Sequence, residues 1–206
     1  VGSFLSSIFS QNIGFRCPVE YDICIVSEHK ANNFKSKNEL RRNLQLIDSY
    51  LIRFLTENNS LKCVILCRSL KNSDNGIFEF EYFSSTYGPR VDIKFQDDCD
   101  FSTYKGMAQT ELIIACYSTS GMEAMGWGKK VLFCDYSPDK RFADFDDGIW
   151  LLDSEGYNNF SERVNMVLLL DHKEYKKTTS KYFNSIMKYD DNHSCIDKIK
   201  SILLLE

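Results

Sequence analysis

From Glu111 to Asp135 the chain passes through an apolar run, a hydroxyl-rich bend, a short helical stretch, a glycine stop and a second apolar run. That order reads as strand, bend, helix, strand. Repeated along a chain, it implies a parallel sheet covered by helices on both faces. Ser118, Thr119, Ser120 and Gly121 fall where the first strand ends and the helix begins. A helix start leaves backbone N–H groups unpaired, and its dipole favours negative charge. Small hydroxyl side chains and a glycine let an anion approach, so the bend is a candidate phosphate cradle. Glu123, one turn further on, is placed to accept hydrogen bonds from ribose hydroxyls. Phosphate and ribose together point to a nucleotide. The alternative is a capped helix, with Ser118 or Thr119 as N-cap. The bend's position at a strand's carboxyl end, where ligands bind in open parallel sheets, favours the nucleotide.

The same alternation extends in both directions. Apolar runs at Tyr21–Ser27, Leu61–Cys67, Val91–Phe95 and Gly148–Leu152 predict further strands. Apolar residues at helical spacing predict a helix from Ser36 to Asn58, carried by Leu40, Leu44, Ile47, Leu51 and Phe54, with Ser36 or Asn38 as cap. A second is expected from Asn75 to Tyr87 with Phe78, Tyr82 and Phe83 inward, ended by Gly88-Pro89. A short helix is expected over Phe101–Gln109, behind the acidic loop Asp97–Asp100. Three more close the chain, at about Tyr157–Leu170, His172–Tyr189 and Ser194–Leu205. Residues 1–19 carry little pattern and read as a lead-in or linker, leaving 20–206 as one Rossmann-like nucleotide-binding domain with a terminal helical tail. The chain starts without methionine, which fits a processed or excised piece.

Composition removes several classes. Of 206 residues, 43% are hydrophobic and 26% charged, ordinary for a globular protein able to bury a core. The net charge of −4 argues against a general nucleic-acid binder. No apolar run reaches the ~20 residues that cross a bilayer. The eight cysteines form no CxxC pair and no zinc-spaced cluster. Cys24, Cys63, Cys67, Cys116 and Cys134 lie in apolar runs and read as reduced core thiols, suited to the cytoplasm. P-loop, GxGxxG, HExxH and GxSxG motifs are missing from the sequence.

Other candidates cluster after strands. Arg68 follows the second and can pair with a phosphate or a sugar carboxylate, or stand as a solvated surface residue. Ser27 and Glu28 end the first strand on the same rim. His29 beside them is a general-acid candidate, or an exposed loop histidine. Phe101 and Tyr104 can stack on a base, or belong to the core. The main chain of Gln96–Phe101 can read a base edge. Asp135 can contact a sugar or shape a turn. Asp144–Asp147 lacks the spacing of a calcium loop and reads as solvated. Gly126 and Gly128 read as helix-end glycines, and Trp127 as packing.

The string Tyr117-Ser-Thr-Ser-Gly-Met-Glu-Ala-Met-Gly-Trp-Gly-Lys-Lys-Val-Leu-Phe133, with Phe101-Ser-Thr-Tyr-Lys105 before it and Asp147-Gly-Ile-Trp-Leu-Leu152 after it, resembles the carboxyl-terminal, donor-binding domain of GT-B glycosyltransferases. Within these it is most similar to bacterial surface-carbohydrate enzymes, Kdo-transferase-like and of capsule or lipopolysaccharide assembly. The resemblance covers about Tyr21 to Asp191. It implies that Ser118, Thr119 and Ser120 hold the donor phosphate, Glu123 the ribose, and that Arg68 neutralises charge. It also implies a nucleotide-sugar donor, Kdo or a related acidic sugar carried by CMP, and a glycan or glycolipid acceptor. An amino-terminal GT-B domain, in this or a separate chain, would carry the acceptor site and the catalytic base. No cofactor or metal is expected. The complete protein is expected at the inner face of the bacterial membrane, in peripheral association with it. Sugar-nucleotide epimerases of the UDP-GlcNAc 2-epimerase kind share much of the pattern, and a non-catalytic docking module of an assembly complex is the third reading.

Overall fold

A computed structural model describes residues 8–9, 17–31, 39–142, 148–186 and 195–204. Among the described residues six strands form one fully parallel sheet in the order β3-β2-β1-β4-β5-β6. They are β1 (Tyr21–Val26), β2 (Cys63–Leu66), β3 (Val91–Lys94), β4 (Thr110–Ala115), β5 (Lys130–Cys134) and the two-residue β6 (Leu151–Leu152). Among the described residues seven α-helices accompany them: α1 (Glu39–Glu57), α2 (Asp74–Tyr87), α3 (Ser102–Ala108), α4 (Thr119–Gly126), α5 (Tyr157–Leu169), α6 (His172–Ile186) and α7 (Cys195–Leu203). A 3₁₀ turn, Gly88–Arg90, leads from α2 into β3.

The strand order reverses between β1 and β4, so their carboxyl ends diverge over a crevice, the usual ligand position in this class of sheet. Helix α1 packs on α2 and α5, and α4 packs on α3 and α6. The inner stretches Ile23–Val26, Cys63–Leu66, Leu112–Ala115 and Val131–Cys134 are apolar, as burial on both faces requires. The five strand-associated cysteines are free and buried among them.

Local chemistry sets several boundaries. Ser73 caps α2, its hydroxyl accepting from the Gly76 amide at 3.1 Å, so that helix starts one residue before the expected Asn75. Gly128 takes φ 87° where α4 turns into β5, as a helix-end glycine should. Gly121 has a packing role that its place in the bend does not announce. A Cβ there would meet the Ala115 Cβ at 3.0 Å and the Phe133 ring at 3.1 Å. Its bareness lets α4 lie close on β4 and β5, and the residue is buried beneath the helix. The final strand is shorter than expected, because Gly148–Trp150 lie outside it and only Leu151 and Leu152 pair with β5.

Phe9, from the segment expected to be a lead-in, is fully buried. Its ring lies 5.6 Å from Tyr104, 5.8 Å from Phe101 and 5.9 Å from Trp127. The proposed caps Ser36 and Asn38, the acidic run Asp144–Asp147 and the junction between the last two helices lie outside the described residues.

Candidate functional site

Each strand delivers its next residues to the carboxyl rim: Ser27–His29 from β1, Cys67–Arg68 from β2, Gln96–Phe101 from β3, Cys116–Ser118 from β4 and Asp135–Ser137 from β5. At the bend after β4, Ser118 occupies the N-cap position of α4, with φ −66° and ψ 129°, but its side chain makes no capping bond. The hydroxyl is 2% exposed and has no hydrogen-bond partner among the described residues. This corrects the reading of Ser118 as a side-chain cap. A buried hydroxyl left unpaired costs about 1–3 kcal/mol, which a bound acceptor would recover. Thr119 beside it is exposed and Ser120 half-buried, so the start of α4 is open to solvent on one side.

Glu123, half-buried one turn along, accepts a hydrogen bond from the Tyr104 hydroxyl at 2.7 Å on Oε2. Tyr104 therefore orients the carboxylate from α3. Its ring is 5.3 Å from Trp127, and with Phe9 alongside, much of the surface expected to stack on a base is already covered. Phe101 adopts φ 57°, the left-handed region that bulky residues avoid, and this turns the chain from the acidic loop into α3. Gln96, Asp97, Cys99, Asp100, Phe101 and Tyr104 border a cleft of about 520 Å³ that Leu70 closes from β2's side. Two of the loop's carboxylates hold backbone: Asp98 accepts from the Phe95 amide at 2.7 Å and Asp97 from the Lys71 amide at 2.8 Å.

The β1 rim departs from expectation. Ser27 is fully buried and its hydroxyl donates to Glu79 on α2, turned away from the rim's surface. Glu79 also accepts from the Ser69 amide at 3.3 Å. His29 is 3% exposed, not a solvated loop residue, and its Nε2 lies 3.0 Å from Asp48 of α1. Asp48 also accepts from Tyr82 at 2.7 Å and Tyr87 at 2.6 Å, and burial pushes both phenols up. Glu28 crosses the crevice itself. One carboxylate oxygen accepts from the Tyr117 amide at 2.7 Å and the Cys116 amide at 3.2 Å. Burial raises its pKa, against the lowering effects of the Tyr117 amide, the Arg68 charge and the Cys116 amide. Arg68 is exposed and near enough for its charge to reach Glu28; it forms no ion pair among the described residues.

Asn43 on α1, absent from the expected set, ties β4 to β5. Its amide donates to the Cys116 sulfur at 2.8 Å and the Cys134 carbonyl at 3.1 Å, while its oxygen accepts from the Tyr136 amide at 3.0 Å. Asp135 proves to shape a turn. It accepts from Tyr117 at 2.6 Å, from the Arg141 amide at 2.8 Å and from Ser137. Burial alone would raise its pKa, but these bonds together hold it below the usual aspartate range. Nothing in the local sequence around Asn43 or Glu28 announces these roles; both arise from partners more than seventy residues away.

No family model and no curated protein matches the chain. Solved structures do. A glycosyltransferase from Rickettsia africae ESF-5 is similar at 10% identity and TM-score 0.54, over 98% of this chain and 50% of that one. The fold is that of one GT-B half. A UDP-GlcNAc 2-epimerase from Neisseria meningitidis bound to UDP-GlcNAc is similar at 14% identity and TM-score 0.51, over 96% and 47%. TarM is similar at 15% identity and TM-score 0.51, over 92% and 36%. The chain thus spans half or less of these proteins. At such identities the likeness is one of fold, a Rossmann-like half shared by GT-B glycosyltransferases and UDP-GlcNAc 2-epimerases. Among the described residues no helix is long and apolar enough to cross a membrane.

Proposed function

We propose that the domain binds a nucleotide sugar as the donor half of a GT-B glycosyltransferase. The observation that carries this reading is the unpartnered, buried Ser118 hydroxyl at the start of α4, with the Tyr104-held Glu123 one turn along. The α4 start would take the donor phosphate through Ser118, Thr119 and Ser120, Glu123 one ribose hydroxyl, and the cleft beside Gln96–Phe101 the base. In transfer, the bond between the anomeric carbon and the donor phosphate breaks, and its electron pair leaves with the nucleotide. Helix N–H groups and Arg68 stabilise that charge as it develops. The acceptor hydroxyl forms the new bond and passes its proton to a base on the second domain.

A sugar-nucleotide epimerase shares the scaffold, and the Neisseria enzyme carries UDP-GlcNAc. His29, in the loop after β1, is held by Asp48 and buried, which favours transfer over isomerisation. The test is a thermal-shift panel of CMP, UDP, GDP and their sugars, CMP-Kdo included as the acidic donor that the family resemblance implies. A nucleotide-dependent rise that Ser118→Ala and Glu123→Ala both remove is the expected result. No rise with any nucleotide at millimolar concentration would overturn the proposal. A partner retained by a Glu123→Ala, Arg68→Ala double variant would then favour a docking module in surface-polysaccharide assembly.

A further inference from the structure

At the switch point, where a sheet of this order ordinarily receives its ligand, the protein has put its own carboxylate. Glu28 leaves the end of β1, spans the crevice and takes the two amides that end β4, Cys116 and Tyr117, on a single oxygen. Those amides directly precede the Ser118 bend. The side chain is 9% exposed, and no lysine or arginine bonds it among the described residues. The arrangement leaves Ser118's hydroxyl without a partner while the neighbouring donors are taken. A carboxylate with such weak compensation is a poor permanent occupant, because a buried anion needs full hydrogen bonding or a counter-charge.

We propose that Glu28 is a built-in competitor for the donor's phosphate: it holds the crevice closed in the empty domain, repels an incoming anion while ionised, and yields when it takes up a proton or swings toward Arg68. This rests on the nucleotide-sugar reading above and adds a regulation to that site. The groups facing Glu28 from the surrounding elements are Arg68 after β2, His29 in its own loop with Asp48 of α1 behind it, and the Cys116 thiol after β4. Glu79 of α2 lies next in line, through Ser27. Arg68 is the exposed cation of this set, able to pair with either the carboxylate or a phosphate. Burial already favours the protonated carboxyl, which lowers the cost of the neutral state.

The test measures binding of inorganic pyrophosphate at pH 8 and of UDP-GlcNAc from pH 5 to 8 by calorimetry, for the parent chain and for Glu28→Gln. UDP-GlcNAc is chosen for the pH series because its diphosphate diester keeps its charge over that range. Glutamine keeps an oxygen for both amides and removes only the charge. At the separation of neighbouring groups, that charge is expected to cost about tenfold in affinity. The expected result is about tenfold tighter binding by Glu28→Gln at pH 8, and parent affinity for UDP-GlcNAc that rises toward pH 5 while the variant's stays flat. Binding by the variant alone supports the proposal equally. Equal affinities with parallel pH profiles overturn it and leave the nucleotide site standing. No binding by either protein overturns both readings together.

Discussion

Two carboxylates, the partly exposed Glu111 and the buried Glu28, lie at opposite ends of β4, and the fold treats them in opposite ways. Near its start, Glu111 is 27% exposed and lies 2.6 Å from the Lys130 ammonium and 3.2 Å from His172. His172 and then Lys130 outweigh burial and hold its pKa at about 2. Lys130 is itself 1% exposed and donates to the Leu168 carbonyl at 3.1 Å, so the group joins β4, β5, α5 and α6. Past the strand's other end, Glu28 meets backbone amides and a distant arginine, and burial wins. A carboxylate paired with a buried ammonium is a latch. One bonded to two backbone amides, in the crevice between β1 and β4, lacks that anchor.

The largest expected effect separates them by stability. Glu111→Gln leaves the Lys130 charge buried without its partner, and a loss of about 3 kcal/mol is expected in urea unfolding at pH 7. Glu28→Gln in the same experiment should cost nothing or stabilise slightly, since it removes a charge that burial already disfavours. Equal losses for the two would break the comparison.

Acid unfolding sharpens it. Glu111's folded pKa lies below its unfolded value near 4.5, so its contribution is complete above that value and is lost as pH falls toward 2, roughly 3 kcal/mol across the window. Glu28 has the opposite sign: its folded pKa is raised, so the stability it confers is complete below the unfolded value and is lost as pH rises through the folded one. Stability measured from pH 2 to 7 should therefore lose its acid-side slope in Glu111→Gln, while Glu28→Gln should lose only the decline on the neutral side.

A smaller effect is expected at α4, which rests on β4 and β5. Gly121→Ala forces a methyl against Ala115 and Phe133, and overpacking of this kind costs about 1–3 kcal/mol. The melting temperature should fall, and nucleotide affinity with it, because the start of α4 moves off the sheet. The smallest is Tyr104→Phe. Removing the hydroxyl that orients Glu123 is expected to weaken ribose-dependent binding severalfold, in line with about 1 kcal/mol for one hydrogen bond. Stability should barely change, and affinity for pyrophosphate, which has no ribose, should not change at all. An equal loss for pyrophosphate would remove Tyr104 from the ribose role.

Much of the architecture was readable because its causes are local. The apolar runs at Ile23–Val26 and Cys63–Leu66 declare buried strands, and the spacing of Leu44, Ile47, Leu51 and Phe54 declares the inner face of α1. The strand–bend–helix–strand order around Ser118 was legible for the same reason, and with it the position of Ser118 between the carboxyl end of β4 and the start of α4. Side-chain direction was less accessible. Ser27 and His29 look like rim residues from their position after β1, yet both are drawn inward by carboxylates, Glu79 and Asp48, that helices α2 and α1 bring beneath them. Phe101 and Tyr104 look like free stacking surfaces until Phe9 is found against them.

What the residues determined unaided is the pattern: periodicity and turn chemistry act within a few positions, and they suffice to order strands and helices and to mark where α4 begins. Which groups face one another was settled only when the sheet assembled, because a contact such as Glu28 on the Tyr117 amide joins positions that no local preference connects. Burial and charge then acted on the assembled pairs, giving two chemically identical carboxylates opposite protonation preferences at the two ends of one strand.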